Sequence, residues 1–138
     1  MIILDTDVLS AIIAPVPTAH VAAWLDNQVD TDICLTAITI YEMRAGIETL
    51  PVSHKRKALE EAFEAALELF ERRVLSFDRD AAEEAGRLAA RRLLIGRPKE
   101  HRDTQIAGIV LSRGAAFATR NVKHFSDLGV SIINPWAT

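Results

Sequence analysis

A single cysteine, Cys34, stands among 138 residues, which excludes an internal disulfide and a cysteine-based zinc cluster. A lone thiol fits a reducing cytoplasm. Aromatic residues make up 6% of the chain, too few to suggest a platform on which nucleic-acid bases stack. No apolar run approaches the ~18–20 residues of a membrane span, and no basic segment precedes a long apolar stretch. The expectation is a cytoplasmic protein with neither leader nor membrane anchor. Gly-x-Gly-x-x-Gly loops, Walker motifs and Gly-x-Ser-x-Gly elbows are absent, so nothing points to dinucleotide binding, P-loop chemistry or a serine hydrolase. His20, His54, His101 and His124 share no zinc-ligand spacing.

What is present is an ordinary globular composition, 49% apolar and 25% charged, at a length that suits one domain over residues 1–138. The net charge of −3 conceals an asymmetry. Residues 1–69 carry 4 Lys/Arg against 11 Asp/Glu, and residues 70–138 carry 12 against 8. An acidic half beside a basic half suits a site that holds cations and grips a polyanion, although solvated helix faces produce the same pattern.

Short β-branched runs alternate with helical periodicity. Met1–Leu4, Ile33–Leu35 extending to Thr36, Val74–Phe77, Ala115–Thr119 and Val130–Ile133 read as buried strands. Between them, helices are expected over Asp7–Ala14, Thr18–Gln28, Thr39–Leu50 and His54 to Glu71. A further helix reaches Leu94 on the spacing Ala82, Ala85, Leu88, Ala89 and Arg92, and another runs from Asp103 or Thr104 to Gly114. The alternation predicts an α/β fold, a central parallel sheet flanked by helices.

Ligands of such sheets bind outside the carboxyl ends of the strands. Asp5 follows the first strand. Glu42 lies near the start of the helix after the second, within Thr39-Ile40-Tyr41-Glu42, which also matches a capping box. Asp103 lies at a predicted helix start, where capping is again the simpler role. Asp7 reads as a better cap than Asp5. Taken singly, each acid has a structural explanation. Taken together, three carboxylates from distant parts of the chain fall where a parallel sheet brings its loops together. Clustered carboxylates repel unless a cation neutralises them, and an all-oxygen ligand set favours Mg²⁺ or Mn²⁺.

Four blocks carry a family resemblance: Ile3-Leu4-Asp5-Thr6-Asp7-Val8-Leu9-Ser10, Thr39-Ile40-Tyr41-Glu42-Met43-Arg44-Ala45-Gly46, Arg102-Asp103-Thr104-Gln105-Ile106-Ala107, and Ala118-Thr119-Arg120-Asn121-Val122-Lys123-His124-Phe125. In this order and spacing, closed by Val130-Ser131-Ile132-Ile133-Asn134-Pro135, they resemble a PIN-domain ribonuclease. The resemblance is specifically to a VapC-type toxin of a toxin–antitoxin pair, the FitB-like branch included, and it spans essentially the whole chain.

That resemblance implies an endoribonuclease dependent on Mg²⁺ or Mn²⁺, with Asp5, Glu42 and Asp103 as its acids. Many family members carry a fourth acid where this chain has Asn121, so one firm metal site is expected. Thr119 and Thr6 fall where their hydroxyls would support the carboxylates. Arg91, Arg92, Arg97, Lys99 and Arg102 would hold RNA phosphates beside Asp103; helix-end cations are their simpler reading. A cognate VapB-like antitoxin and a homodimer are also implied. Two alternatives stay open on the residues alone. One is a haloacid-dehalogenase-like phosphatase with Asp5 as nucleophile, Asp7 as acid, Thr36 in its second motif and Asp78 or Asp80 as the late acid. The other is a PIN fold that only docks a partner.

Overall fold

The computed structural model describes all residues from Met1 to Thr138. Five strands, β1 (Ile2–Leu4), β2 (Ile33–Thr36), β3 (Val74–Leu75), β4 (Ala116–Ala118) and β5 (Ile132–Ile133), form one sheet in the order β3-β2-β1-β4-β5. Every pairing is parallel. Seven helices flank it: α1 (Thr6–Ile13), α2 (Ala19–Asp26), α3 (Ala37–Glu48), α4 (His54–Leu69), α5 (Arg79–Leu94), α6 (His101–Arg113) and α7 (Val122–Phe125).

The inner strands β1, β2 and β4 bury both faces, which explains their continuous apolar runs. Ile3 and Leu4, neighbours in sequence, point to opposite sides and join different cores. Leu4 packs with Val8, Leu9, Val21, Trp24, Ile47 and Phe63 under α1 to α4. Ile3 packs with Leu88, Ile106, Val110, Phe117 and Phe125 under α5 and α6. The contact between α5 and α6 is close because Gly108 has no side chain: a Cβ there would lie 2.4 Å from the Ala81 carbonyl oxygen and 2.7 Å from the Ala85 Cβ. Gly114, at φ 60°, closes α6 in the left-handed conformation expected of a helix stop.

The chain moves from β1 outwards to β2 and β3, then crosses to β4 and β5 on the other side. The sheet therefore changes winding direction between β1 and β4, the place where a crevice opens at the strands' carboxyl ends. Asp5 and Thr119 stand at those two ends, and the Asp5 N–H donates to the Ala118 carbonyl at 2.9 Å.

Two predicted helix starts are displaced by two residues or more, and both displacements matter. The third helix begins at Ala37, not Thr39, because Thr36 at the end of β2 is its N-cap and accepts from the Thr39 N–H at 3.1 Å. Glu42 thus sits in the second turn and takes no part in a capping box. The sixth begins at His101, because the Glu100 side chain accepts from the N–H groups of Arg102 and Asp103 at 2.9 and 3.2 Å. Asp103 is therefore not a cap. Ser53 and Asp78 cap α4 and α5.

Candidate active site

The site is assembled at the crevice between β1 and β4. Asp5 follows β1 directly, is 5% exposed and caps α1. Its Oδ1 accepts from the Thr6 N–H at 2.8 Å and its Oδ2 from the Thr119 hydroxyl at 2.7 Å. Thr119 is fully buried, and its Oγ1 also accepts from the Asn121 N–H at 3.1 Å. The strand-end threonine thereby ties the carboxylate of β1 to the loop after β4.

Asp7, read from the sequence as a cap, has a different role. Its Oδ2 accepts from the Arg120 N–H at 3.0 Å, while its Oδ1 is buried and has no hydrogen-bond partner. Arg120 is held in turn by stacking 5.1 Å from the Trp136 ring. The only sequence signal for Asp7 was the Asp-x-Asp spacing after a buried strand; the cap reading obscured it, because either aspartate can cap a helix. Asp5 took the cap, which left Asp7 facing the loop after β4.

Glu42, from α3, reaches the same crevice through α1: the Thr6 hydroxyl donates to its Oε1 at 2.8 Å. Its Oε2 lies 3.9 Å from Nε of Arg102, which also bonds Glu100 at 3.1 Å. Asp103, half-buried in the first turn of α6, completes the acidic set. Asn121 lies at the mouth with an exposed side chain that makes no cap bond.

The electrostatics are those of a site short of positive charge. Burial pushes the Asp5 carboxyl up to about 7, and the charges of Asp7 and Asp103 push the same way against the bonds from Thr119 and Thr6. Burial also raises Asp7, with Asp103 adding to it, against the N–H bond from Arg120. Asp103 is raised first by burial and then by Glu100, with His124, Arg102 and Arg92 opposing. Three carboxyls that feel one another, one with a buried unpaired oxygen, fit a hard divalent cation. As the side chains stand, no three acidic, histidine or cysteine groups close on one point.

A pH dependence follows for the metal-free protein. Asp5 holds its proton more tightly folded than unfolded, so folding is favoured below its unfolded value of 3.8 and loses stability as pH rises towards about 7. The loss from this group has a ceiling of about 4 kcal/mol. Chemical denaturation at pH 5 and pH 8 checks it: the stability falls between them, and Asp5→Asn flattens the difference.

Of the predicted RNA-contacting cations, Arg91 and Arg97 are exposed, Lys99 is partly so, and Arg102 stands beside Glu42. Arg92 must be corrected. It is 1% exposed and bonds inward, bidentate to Asp127 at 2.8 and 2.9 Å, to the His124 carbonyl at 3.2 Å and to the Thr104 hydroxyl at 3.2 Å. Its helical register decides this, since Ala81, Ala85, Leu88 and Arg92 form the buried face of α5. A guanidinium on that face turns to an internal carboxylate, out of reach of any phosphate.

A parallel sheet with an acidic crevice at its winding switch defines the class of the protein. The PIN domain profile matches residues 2–130, and the chain belongs to the PIN domain family. Among its relatives, the plasmid stability protein StbB of Pseudomonas syringae is 39% identical over 99% of both chains. A VapC ribonuclease of Sinorhizobium fredii is 35% identical, covering 99% of this chain and 98% of the relative. The toxin FitB of Neisseria gonorrhoeae is 34% identical over 99% of both. The crystal structure of FitAcB from that organism matches over 100% of both chains with a TM-score of 0.91. The phosphatase alternative falls here. The chain is of the PIN family, and of the two candidate late acids Asp78 caps α5 through the Ala81 N–H and lies 3.8 Å from Arg113, while Asp80 is exposed in the first turn of α5.

Proposed function

We propose that this protein is a metal-dependent endoribonuclease, the toxin of a toxin–antitoxin pair, acting in the cytoplasm. The observation that carries the reading is the unpaired, buried Asp7 Oδ1 beside two further carboxyls of raised affinity for protons, Asp5 and Asp103, at the sheet's switch point. Asp5, Asp103 and Glu42 would hold Mg²⁺ or Mn²⁺, with Asp7 supplying charge that the amide of Asn121 lacks. When bound, such an ion supplies an activated water and neutralises the charge that builds on the phosphate.

The chain's own groups do the rest. Thr119 orients Asp5 through Oδ2, and Thr6 orients Glu42 through Oε1. Arg102, already drawn towards Glu42, is placed to pair with a backbone phosphate, with Arg91, Arg97 and Lys99 extending the basic track. Attack by water needs no ribose 2′-hydroxyl, so the products carry a 5′-phosphate and a 3′-hydroxyl.

The reading includes a VapB-like antitoxin, supported by the relatives named as a toxin and a VapC ribonuclease, and a homodimer, which the family resemblance implies. The acidic crevice favours inhibition by an arginine, which binds a carboxylate through two hydrogen bonds and competes with the ion. A docking module without activity is the second reading, favoured by Asn121 alone. Cleavage of total cellular RNA in Mn²⁺, in Mg²⁺ and after EDTA treatment separates them: the nuclease cuts with either ion and stops in EDTA. Cleavage persisting in EDTA, or none with either ion, refutes the proposal.

A further inference from the structure

Two fully buried hydroxyls, Thr36 and Thr39, do more than cap α3. They belong to a chain of side-chain bonds that crosses from β2 to α1. Thr36 Oγ1 lies 3.3 Å from Thr39 Oγ1, Thr39 Oγ1 lies 2.9 Å from Thr6 Oγ1, and Thr6 Oγ1 lies 2.8 Å from Glu42 Oε1. Counting protons gives the chain a direction. Each hydroxyl has one proton, and an ionised carboxylate has none to give. The Thr6 proton is therefore committed to Glu42. The bond between Thr39 and Thr6 must then use the Thr39 proton, and the bond between Thr36 and Thr39 must use that of Thr36. Donation runs one way, Thr36 to Thr39 to Thr6 to Glu42.

A helix threonine commonly satisfies its hydroxyl on a carbonyl within its own helix. Thr39 instead bonds a residue 33 positions away on another helix. Bonds in such a low-dielectric series polarise one another, so each donor upstream strengthens the last. We propose that Thr39 and Thr36 are positioning residues for Glu42: they hold the Thr6 hydroxyl as a donor and pin Oε1, so that Oε2, 3.9 Å from Nε of Arg102, is the oxygen left for an ion. The inference rests on the reading of Glu42 as a metal-holding acid.

The test uses the full chain and Mn²⁺ as probe. Thr39→Val keeps the volume and removes the proton, and Thr39→Ser keeps the proton. Calorimetric titration of RNA-free protein with Mn²⁺ is the primary readout, followed by single-turnover cleavage. Thr39→Val weakens Mn²⁺ binding roughly tenfold, the scale of one well-placed hydrogen bond, and slows cleavage alike at unchanged affinity for RNA. Thr39→Ser restores both to within about twofold. Thr6→Val, on a partly exposed turn, gives the same loss, and Thr6→Val with Thr39→Val is no worse than Thr6→Val alone, because both act along one path. Should Thr39→Val not fold, the comparison of Thr39→Ser with Thr39→Ala replaces it. Unchanged Mn²⁺ affinity in Thr39→Val, equal damage from Thr39→Ser, or strictly additive losses overturn the relay. Wild-type protein without Mn²⁺ affinity overturns the nuclease reading, and this proposal with it.

Discussion

Asp5→Asn and Asp103→Asn are each expected to slow RNA cleavage by roughly a hundred- to a thousandfold, the range seen when one group that stabilises developing charge is removed. The amide keeps the shape of the carboxyl; its one acceptor oxygen can keep the cap on α1, while its NH₂ group donates to the Thr119 hydroxyl in place of accepting from it. What disappears is a negative charge in a buried crevice, where charge counts most. Glu42→Gln is expected to cost less, about ten- to a hundredfold, because its amide oxygen still accepts from Thr6. The metal-free Asp5→Asn protein should at the same time be more stable at pH 8 than the wild type, since the buried carboxyl no longer has to ionise. Opposite signs for activity and stability mark a group kept for function rather than folding. Single-turnover cleavage in Mn²⁺ and urea denaturation measure the two effects. Full activity in Asp5→Asn would remove Asp5 from the site.

Arg92→Met is expected to be the most damaging substitution away from the crevice. The guanidinium makes four hydrogen bonds that join α5 to the start of α6 and to the segment around His124 and Asp127. It also holds the Asp127 carboxyl below its ordinary range. Methionine fills much of the volume but leaves the His124 carbonyl without that donor and Asp127 without its cation. Removing one partner of a buried pair typically costs 3–5 kcal/mol; Asp127 keeps a 42% exposed side chain and can rehydrate, so about 3 kcal/mol is expected. The Asp127→Asn variant should lose less, because its amide still accepts from Arg92. Equilibrium urea denaturation checks both. A loss below about 1 kcal/mol for Arg92→Met would place the pair among ordinary surface ion pairs. Since Thr104 adjoins Asp103, loosening this joint should also weaken Mn²⁺ binding.

Local periodicity carried the architecture. β-branched runs too short for helices, separated by amphipathic stretches, were enough to give five parallel strands and the layers of helix around them. The positions of Asp5, Glu42 and Asp103 at a strand end or near a helix start followed from the same pattern, as each lies within a few residues of a boundary that hydrophobicity marks well. Three things were outside its reach, for one reason: they depend on which of several equivalent local partners wins in three dimensions. Either Asp5 or Asp7 can cap α1, and only the closeness of Arg120 across the sheet decides that Asp7 faces the crevice. Either Thr36 or Thr39 can start α3, and the end of β2 gives that role to Thr36, freeing Glu42 from a capping box and Thr39 for a bond to α1. An arginine in a basic stretch reads as a phosphate contact, and only its register on the buried face of α5, opposite an aspartate 35 residues away, makes Arg92 part of the core. Sequence spacing specifies the groups available at each strand end, while the partner each one bonds is settled by long-range approach of the chain, which no local pattern encodes.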